Sequence, residues 1–392
     1  MKNGWQTKRL GDVCEIIKGR KPSTLKATPT NGDLPYLVAK VMRGSQEAEY
    51  APAKDRNSIT VSEQETIIIC DGSNSGEVFT GFRGVLSSTM GKISKKAEIN
   101  DDYLRAFLAS TFEIFNGAKT GSAIPHLDKE AMYALEFPFP PLAEQQRIVG
   151  VLDEAFAGLA TAQANAEKNL QNARALFESH LQSVFTQRGK GWVETTLGAE
   201  VDLLSGFPFK SARYTESEKD VRLLRGDNIV QGSLRWDDVK RWPASDTAEY
   251  ERYQLSAGDV VLAMDRPWIK AGLKRAQISL NDLPSLLVQR TARLRGNSSL
   301  NNRFLVYLIG SSAFTRHILG VQSGIGVPHI SGQQIKDFQF FKPPVKEQIH
   351  IADNLDELST ETQRLEILYE QKLAALAALK KSLLHQAFSG QL

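Results

Sequence analysis

Two histidines recur at equivalent places and are the first residues to weigh for chemistry. Gly121-Ser-Ala-Ile124-Pro125-His126-Leu127 and Gly324-Ile-Gly-Val327-Pro328-His329-Ile330 lie 203 residues apart. An imidazole beside a serine or cysteine nucleophile would suit acyl transfer. Neither histidine has such a partner at a meaningful spacing, and a proline-led turn argues for a structural role. Asp71-Gly72-Ser73-Asn74 has the side chains to hold a phosphate or a metal, yet the same residues are those of an ordinary turn. Other chemistries lack their motifs. Amino-methylation of adenine or cytosine uses an Asn/Asp-Pro-Pro-Tyr/Phe loop, and the Pro-Pro pairs here read Phe139-Pro-Pro-Leu142 and Lys342-Pro-Pro-Val345. No G-x-x-x-x-G-K-[ST] phosphate loop occurs, and no proline is followed by aspartate. Gly320-x-x-x-Gly324-x-Gly326 follows a helical pattern rather than a strand, so it reads as a loop and not a dinucleotide turn. The inventory is that of a protein without a reaction of its own.

The elements that carry these residues form a tandem repeat. Pro140-Pro-Leu-Ala-Glu144-Gln145-Gln-Arg-Ile148-Val-Gly-Val-Leu152-Asp-Glu154 aligns without a gap on Pro343-Pro-Val-Lys-Glu347-Gln348-Ile-His-Ile351-Ala-Asp-Asn-Leu355-Asp-Glu357. Upstream, Trp5-x4-Leu10-Gly11 matches Trp192-x4-Leu197-Gly198, and Gly19 matches Gly206, at an offset of 187. The growth of the offset to 203 puts about sixteen extra residues in the middle of the second copy. Short β-rich runs such as Ile67–Cys70 and Val260–Met264 fill each copy. Helical stretches over 102–115 and 302–319 follow them.

After each proline pair the period changes to helical. Ile148, Leu152, Phe156, Leu159, Leu170 and Phe177 share one face, as do Leu355, Leu358, Leu365, Leu368 and Leu379. Leu358, Leu365 and Leu379 stand in heptad register. Proline at the entry and glutamate in the first turn suit a helix start. Each helix should run roughly 60–70 Å at 1.5 Å per residue. Two solutions bury such a stripe: the helices pair antiparallel with each other, or each bends back onto its own domain. Pairing is the more economical.

The 392 residues allow two to three domains, and 41% apolar content supports a core. The polar N-terminus lacks a signal-peptide apolar run, and no stretch approaches a membrane span. Two cysteines, Cys14 and Cys70, make neither a disulfide framework nor a four-ligand zinc site, so a reducing cytoplasm is expected. Net charge is only +3, but residues 189–344 hold 21 Lys+Arg against 16 Asp+Glu. Residues 1–142 hold 18 against 17, and both helical segments are slightly acidic. That distribution suits globular parts facing phosphate and helices facing protein.

The whole pattern resembles the specificity (S) subunit of type I restriction-modification systems. The resemblance rests on both Trp-x4-Leu-Gly openings, Gly206-Phe-Pro-Phe209-Lys210-Ser211, the Pro-His turns, both Pro-Pro-x-x-Glu-Gln helices and the terminal Phe388-Ser-Gly-Gln-Leu392. The first copy departs after Gly19, reading Arg20-Lys21-Pro22. It implies an α+β protein: two repeated globular α/β target-recognition domains, pseudo-two-fold, separated by two long helices pairing as an antiparallel coiled coil. The domains would span 1–142 and 189–344, and the spacer helices 143–188 and 345–392. The resemblance further implies a non-catalytic, DNA-binding subunit. It would read the two halves of a bipartite, asymmetric duplex site and direct two methyltransferase (M) and the restriction (R) subunits. S-adenosylmethionine, ATP and magnesium would sit on those partners and no metal on this chain. Glu144, Gln145, Ile148, Leu152, Glu347, Gln348, Ile351 and Leu355 would mark the spacer and docking helices. Candidate DNA contacts are Arg20, Lys21, Lys40, Arg43, Ser73 and Asn74 in the first domain. In the second they are Lys210, Arg213, Arg225, Asn228, Arg266 and Lys270. Trp236, Trp242 and Trp268 interleave with Arg235, Arg241 and Arg266, either as core residues or as stackers on a distorted base. The rival reading is a coiled-coil assembly scaffold that never touches DNA.

Overall fold

The structure, a computed structural model, describes residues 4–117, 125–270, 272–324 and 327–392. The glycine ends of both Pro-His turns, 121–124 and 325–326, lie outside the described residues. The chain folds as two compact units, Met1–Glu167 with Glu370–Leu392, and Lys168–Tyr369. Each long helix is therefore shared between the units.

Unit one begins with β1 (Gln6–Arg9), α1 (Leu10–Val13) and β2 (Cys14–Lys18). β3 (Asp33–Leu37), α2 (Ala39–Met42), β4 (Tyr50–Pro52), β5 (Thr60–Val61) and β6 (Ile67–Ile69) follow. Next come β7 (Val78–Phe79), β8 (Gly84–Leu86), β9 (Met90–Lys95), α3 (Asp101–Ser110), α4 (Phe112–Gly117), α5 (Lys129–Ala134) and β10 (Glu136–Phe139). α6 (Leu142–Thr186) then runs 45 residues, about 67 Å at 1.5 Å per residue. The strands form a β1-β10 pair and two four-stranded sheets, ordered β2-β9-β6-β7 and β4-β3-β8-β5.

Unit two repeats the plan. β11 (Val193–Thr196), α7 (Leu197–Glu200), β12 (Val201–Ser205), β13 (Val221–Leu224) and β14 (Lys240–Trp242) open it. β15 (Val260–Ala263) precedes a two-stranded hairpin of β16 (Trp268–Ile269) and β17 (Gly272–Leu273). β18 (Arg275–Gln277), β19 (Ser285–Leu287) and β20 (Thr291–Gly296) complete the sheets. α8 (Asn302–Gly310), α9 (Ser312–Val321), α10 (Gly332–Lys336), β21 (Gln339–Lys342) and α11 (Val345–Ser389) close the chain. The sheet orders β11-β21, β12-β20-β15-β18 and β14-β13-β19 mirror those of unit one. In both units one sheet contains a single parallel pair, β3–β8 in the first and β13–β19 in the second.

The repeated sequence marks have physical causes. A Cβ on Gly11 would stand 2.8 Å from Tyr133 Cβ, and one on Gly198 would stand 2.8 Å from Lys336 Cβ. Only glycine lets α1 and α7 dock so closely. The leucine before each glycine donates its N–H to the carbonyl of Leu135 or Phe338. The Pro-His turns add one more rung to a strand end. Gly72 N–H donates to Pro125 O and Leu127 N–H to Cys70 O, while Arg266 N–H donates to Pro328 O and Ile330 N–H to Met264 O. His126 Nδ1 lies 2.8 Å from Asp71, so the histidine closes a turn.

Within each unit the two long helices run antiparallel. In unit one Ile148 and Leu152 share a core with Leu384 and Ala387, and Lys380 covers the Phe156 ring. In unit two Leu181 packs with Leu355, and Arg174 donates to Glu366 at 3.1 Å. Both helix portions also seat on their own sheet domain, so the two solutions open at the sequence level operate together. Gln145 is the seat in unit one: its amide accepts Asn100 N–H at 2.9 Å and donates to Pro140 O at 2.8 Å. Gln348 repeats this with Asn301 N–H at 2.8 Å, Pro343 O at 2.8 Å and Ser299 O at 2.9 Å. Asn100 and Asn301 in turn cap α3 and α8.

This corrects part of the docking expectation. Gln145, Ile148, Leu152, Gln348 and Leu355 are buried in their own units and cannot face another subunit. Glu347 accepts from Trp192 Nε1 at 2.9 Å, and Glu144 pairs with Arg147. Ile351 packs beside Phe185. Conversely Leu365, Leu368 and Leu379, expected in a buried stripe, are exposed, together with Leu176 and Ile367.

Candidate nucleic-acid interface

The candidate contact residues come from three equivalent strand ends in each unit. In unit one β2 leads into Arg20 and Lys21, β3 into Lys40 and Arg43, and β6 into Ser73 and Asn74. In unit two β12 leads into Lys210 and Arg213, β13 into Arg225 and Asn228, and β15 into Arg266 and Lys270. Strand register places these ends together. Lys18 of β2 and Ile68 of β6 both oppose Gly91, so the two strands finish at one end of their sheet. Ser205 of β12 and Leu262 of β15 both oppose Ala292.

A glycine joins the second sheet at that edge. A Cβ on Gly19 would lie 2.2 Å from Ser87 O, just past the end of β8, and one on Gly206 2.1 Å from Val288 O, just past β19. Any other residue would separate the end of β2 from that of β8, and β12 from β19. Because β8 and β19 run parallel to β3 and β13, three strand ends from two sheets converge in each unit.

The loops leaving this edge differ. In unit one they form a polar turn around Asp71, which Lys18 contacts at 2.7 Å and His126 at 2.8 Å. Burial would raise the Asp71 carboxyl, but the hydrogen bonds from Lys18 and His126 outweigh it and hold it below its ordinary range. Arg43 pairs with Glu77, which also accepts from Asn74 Nδ2 at 3.3 Å. Arg43, Asn74 and Ser73 are thereby gathered; Ser73 Oγ bonds Asn74 Oδ1 at 3.2 Å. Arg20, Lys21 and Lys40 are exposed, with no ion-pair partner among the described residues.

Unit two has an aromatic base. Phe207, Phe209, Trp242 and Tyr250 pack ring against ring in tilted and edge-on contacts, with Arg213 over the Trp242 ring at 4.6 Å and paired to Asp246. Phe209 and Trp242 are thus core residues, and Trp236 is anchored by its Nε1 to Asp282 at 2.8 Å. Arg225 bridges Asp227 and Asp238. Asn228 departs from expectation: it is 3% exposed, accepts Arg225 N–H and donates to Arg235 O, so its amide shapes the loop and meets no surface. Lys210, Arg266 and Lys270 are exposed and unpaired among the described residues. Arg266 holds a left-handed φ of 44°, which turns the chain into the β16–β17 hairpin. Behind it Lys274 is pushed below its ordinary pKa by burial, with Arg266 and Arg235 adding to the effect against Asp227 and Asp265.

Sequence reasoning did not single out Trp268 from its two neighbours. Its place between two exposed cations, Arg266 and Lys270, was the available signal. Among the described residues no three His, Cys, Asp or Glu side chains converge as for a metal. Cys14 and Cys70 are buried free thiols, pushed up to about 11 mainly by burial. Among the described residues no single helix is long and apolar enough to cross a membrane.

Comparison with known proteins follows the same lines. Residues 2–170 match the family model of the type I restriction modification DNA specificity domain. The type I restriction enzyme MjaVIII specificity subunit of Methanocaldococcus jannaschii is 29% identical over 99% of this chain and 93% of that protein. The EcoAI specificity subunit of Escherichia coli is 38% identical over 46% of this chain and 30% of that protein. Among solved structures, a chain from a type I R-M system, studied for complex assembly and conformational transition, covers all of this chain and 99% of its own. It superposes with a TM-score of 0.78 at 18% identity. The HsdS subunit of Thermoanaerobacter tengcongensis covers 100% of this chain and 98% of its own, with a TM-score of 0.58 at 17% identity. At those identities the likeness is one of fold.

Proposed function

We propose that the chain is a specificity subunit of a type I restriction-modification system, a reading supported by the family-model match over residues 2–170 and the likeness to the MjaVIII subunit, and that it reads a bipartite, asymmetric duplex site, one half with each unit. It is a non-catalytic subunit that supplies DNA sequence specificity and a frame for complex assembly. The observation that carries the finer reading is the repeated edge. The same three strand ends, joined by Gly19 or Gly206, present a polar set in unit one and a more basic, aromatic-backed set in unit two. A shared scaffold with unlike loops is what reading two unlike half-sites requires. α6 and α11, 45 residues each, would act as the spacer that fixes the unread gap.

The methyltransferase subunits would dock on the apolar positions the helices leave exposed. Leu176, Leu365, Ile367 and Leu368 form such a set in unit two, and Leu379 lies exposed in unit one. The restriction subunits would join that complex. S-adenosylmethionine, ATP and magnesium would be held by those partners, in the cytoplasm.

The test is equilibrium binding of the full chain, with its methyltransferase partner, to genomic duplex fragments across salt concentrations. Phosphate contacts release counterions, so log K should fall with log salt by about 0.9 per contact. Tight binding to a small set of fragments with a steep slope supports DNA reading. A flat slope with no fragment preference supports the coiled-coil scaffold.

A further inference from the structure

We propose that Trp268 and Ile269, the two residues of strand β16, insert against a base step of the bound duplex and unstack it, with Arg266 and Lys270 neutralising the phosphates beside it. The proposal rests on the DNA-reading function of unit two and adds to it a distortion that unit one does not make. Three observations carry it. Of the three tryptophans among the arginines, Trp242 and Trp236 are held by the aromatic cluster and by Asp282, whereas Trp268 is 41% exposed and Ile269 is also 41% exposed. Two adjacent large apolar side chains on a short strand are costly to leave so exposed to water. The indole borders a cavity of about 690 Å³ that is also lined by Phe177, Tyr307 and Asp356, and leaves it incompletely packed.

The second observation is position. The hairpin leaves the converging strand ends directly after Asp265, the residue equivalent to Asp71, where unit one has the tight turn Gly72-Ser73-Asn74. Pro328 O accepts Arg266 N–H at 2.7 Å, which ties the start of the hairpin to the Pro-His turn. The third is charge. Arg266 and Lys270 flank the pair in sequence and are both exposed, and Arg266 lies close enough to Lys274 to act on it, as do Arg235, Asp227 and Asp265. An exposed apolar pair flanked by two exposed cations fits neither a protein core nor an ordinary aliphatic ligand. It fits a polyanion whose charged rails enclose stacked apolar rings, which is duplex DNA.

The experiment uses the full chain assembled with its methyltransferase subunit and a duplex carrying the methylated motif found in its host. 2-Aminopurine is placed in turn through the half-site assigned to residues 189–344. Wild type should brighten the probe at one base step. Trp268→Ala should abolish that rise and weaken binding about five- to 150-fold, the range for losing one aromatic stack on a base. Trp268→Phe should keep most of both. Ile269→Ser, a surface change that retains the indole, gives an intermediate loss and guards against a misfolded Trp268→Ala. Tight binding by wild type with no brightened step, or Trp268→Ala behaving as wild type, overturns the inference and leaves the DNA reading standing. If wild type binds no duplex, the DNA reading itself fails and this inference with it.

Discussion

Replacing Gln145 or Gln348 with leucine tests whether the Pro-Pro-x-x-Glu-Gln motif seats each helix on its domain or serves as a docking mark. Leucine is of similar size, so packing changes little while the amide bonds vanish. At Gln145 two backbone groups lose their partner, Asn100 N–H and Pro140 O. At Gln348 three do, Asn301 N–H, Pro343 O and Ser299 O. A buried unsatisfied group costs about 1–3 kcal/mol, and carbonyls can often recover a second donor, so we expect losses of roughly 2–4 kcal/mol for Gln145→Leu and about 3–5 for Gln348→Leu. The exposed neighbour Gln146→Ala should stay within about 0.5 kcal/mol of wild type. Denaturant unfolding gives the totals. Hydrogen exchange gives the location: the Asn100 amide should lose protection in the first variant and the Asn301 amide in the second, with the α3 and α8 amino-terminal turns following. Leucine variants as stable as wild type but unable to bind the methyltransferase would refute the reasoning and restore the motif as a docking mark.

Other outcomes follow from the same geometry. Leu365→Asp with Leu368→Asp should weaken association with the methyltransferase in a pull-down or by calorimetry while leaving thermal stability unchanged, because both side chains are exposed. Glu200 is buried; burial would raise its carboxyl, but Lys342, Ser299 and Thr195 together hold it below its ordinary range. A depressed carboxyl stabilises above its unfolded pKa and loses that contribution as pH falls through the folded one, so unit two should weaken in acid. Lys342→Met should cost about 3–5 kcal/mol by stranding the Glu200 charge, and should flatten that pH dependence. Gly206→Ala should destabilise unit two by about 1–3 kcal/mol or more in a melt, since its Cβ would overlap Val288 O. Exchanging residues 189–344 for the matching domain of a relative should change one half-site in the mapped motif; a change in both would contradict the assignment of one half to each unit.

Much of the fold is legible in the sequence because repetition makes one observation twice. Gly11 with Gly198, Gly19 with Gly206 and Gln145 with Gln348 announce themselves by recurrence, and the structure supplies the close approach or buried amide behind each pair. Helix periodicity marks α6 and α11 but cannot say which side of a stripe is covered. Leu355 is buried and Leu365 exposed, though both are leucines on one helix, because only Leu355 meets the Leu181 and Tyr307 cluster. Residue type also misleads for Asn228, whose amide is consumed by its own loop. Trp268 differs from Trp242 only in what surrounds it, and local sequence does not reveal that. Loop cations and amides are visible as candidate contacts in the sequence; their convergence at three strand ends depends on parallel pairing of β3 with β8 and β13 with β19, a non-local feature.

The central claim is that this chain sets which DNA is marked. The direct measurement is to map methylated bases in DNA from cells carrying the chain with its neighbouring methyltransferase, and from cells lacking only this chain. One bipartite motif, two unlike half-sites around a fixed gap, should be present in the first and lost in the second. An unchanged methylation pattern with the methyltransferase expressed and active would contradict the claim.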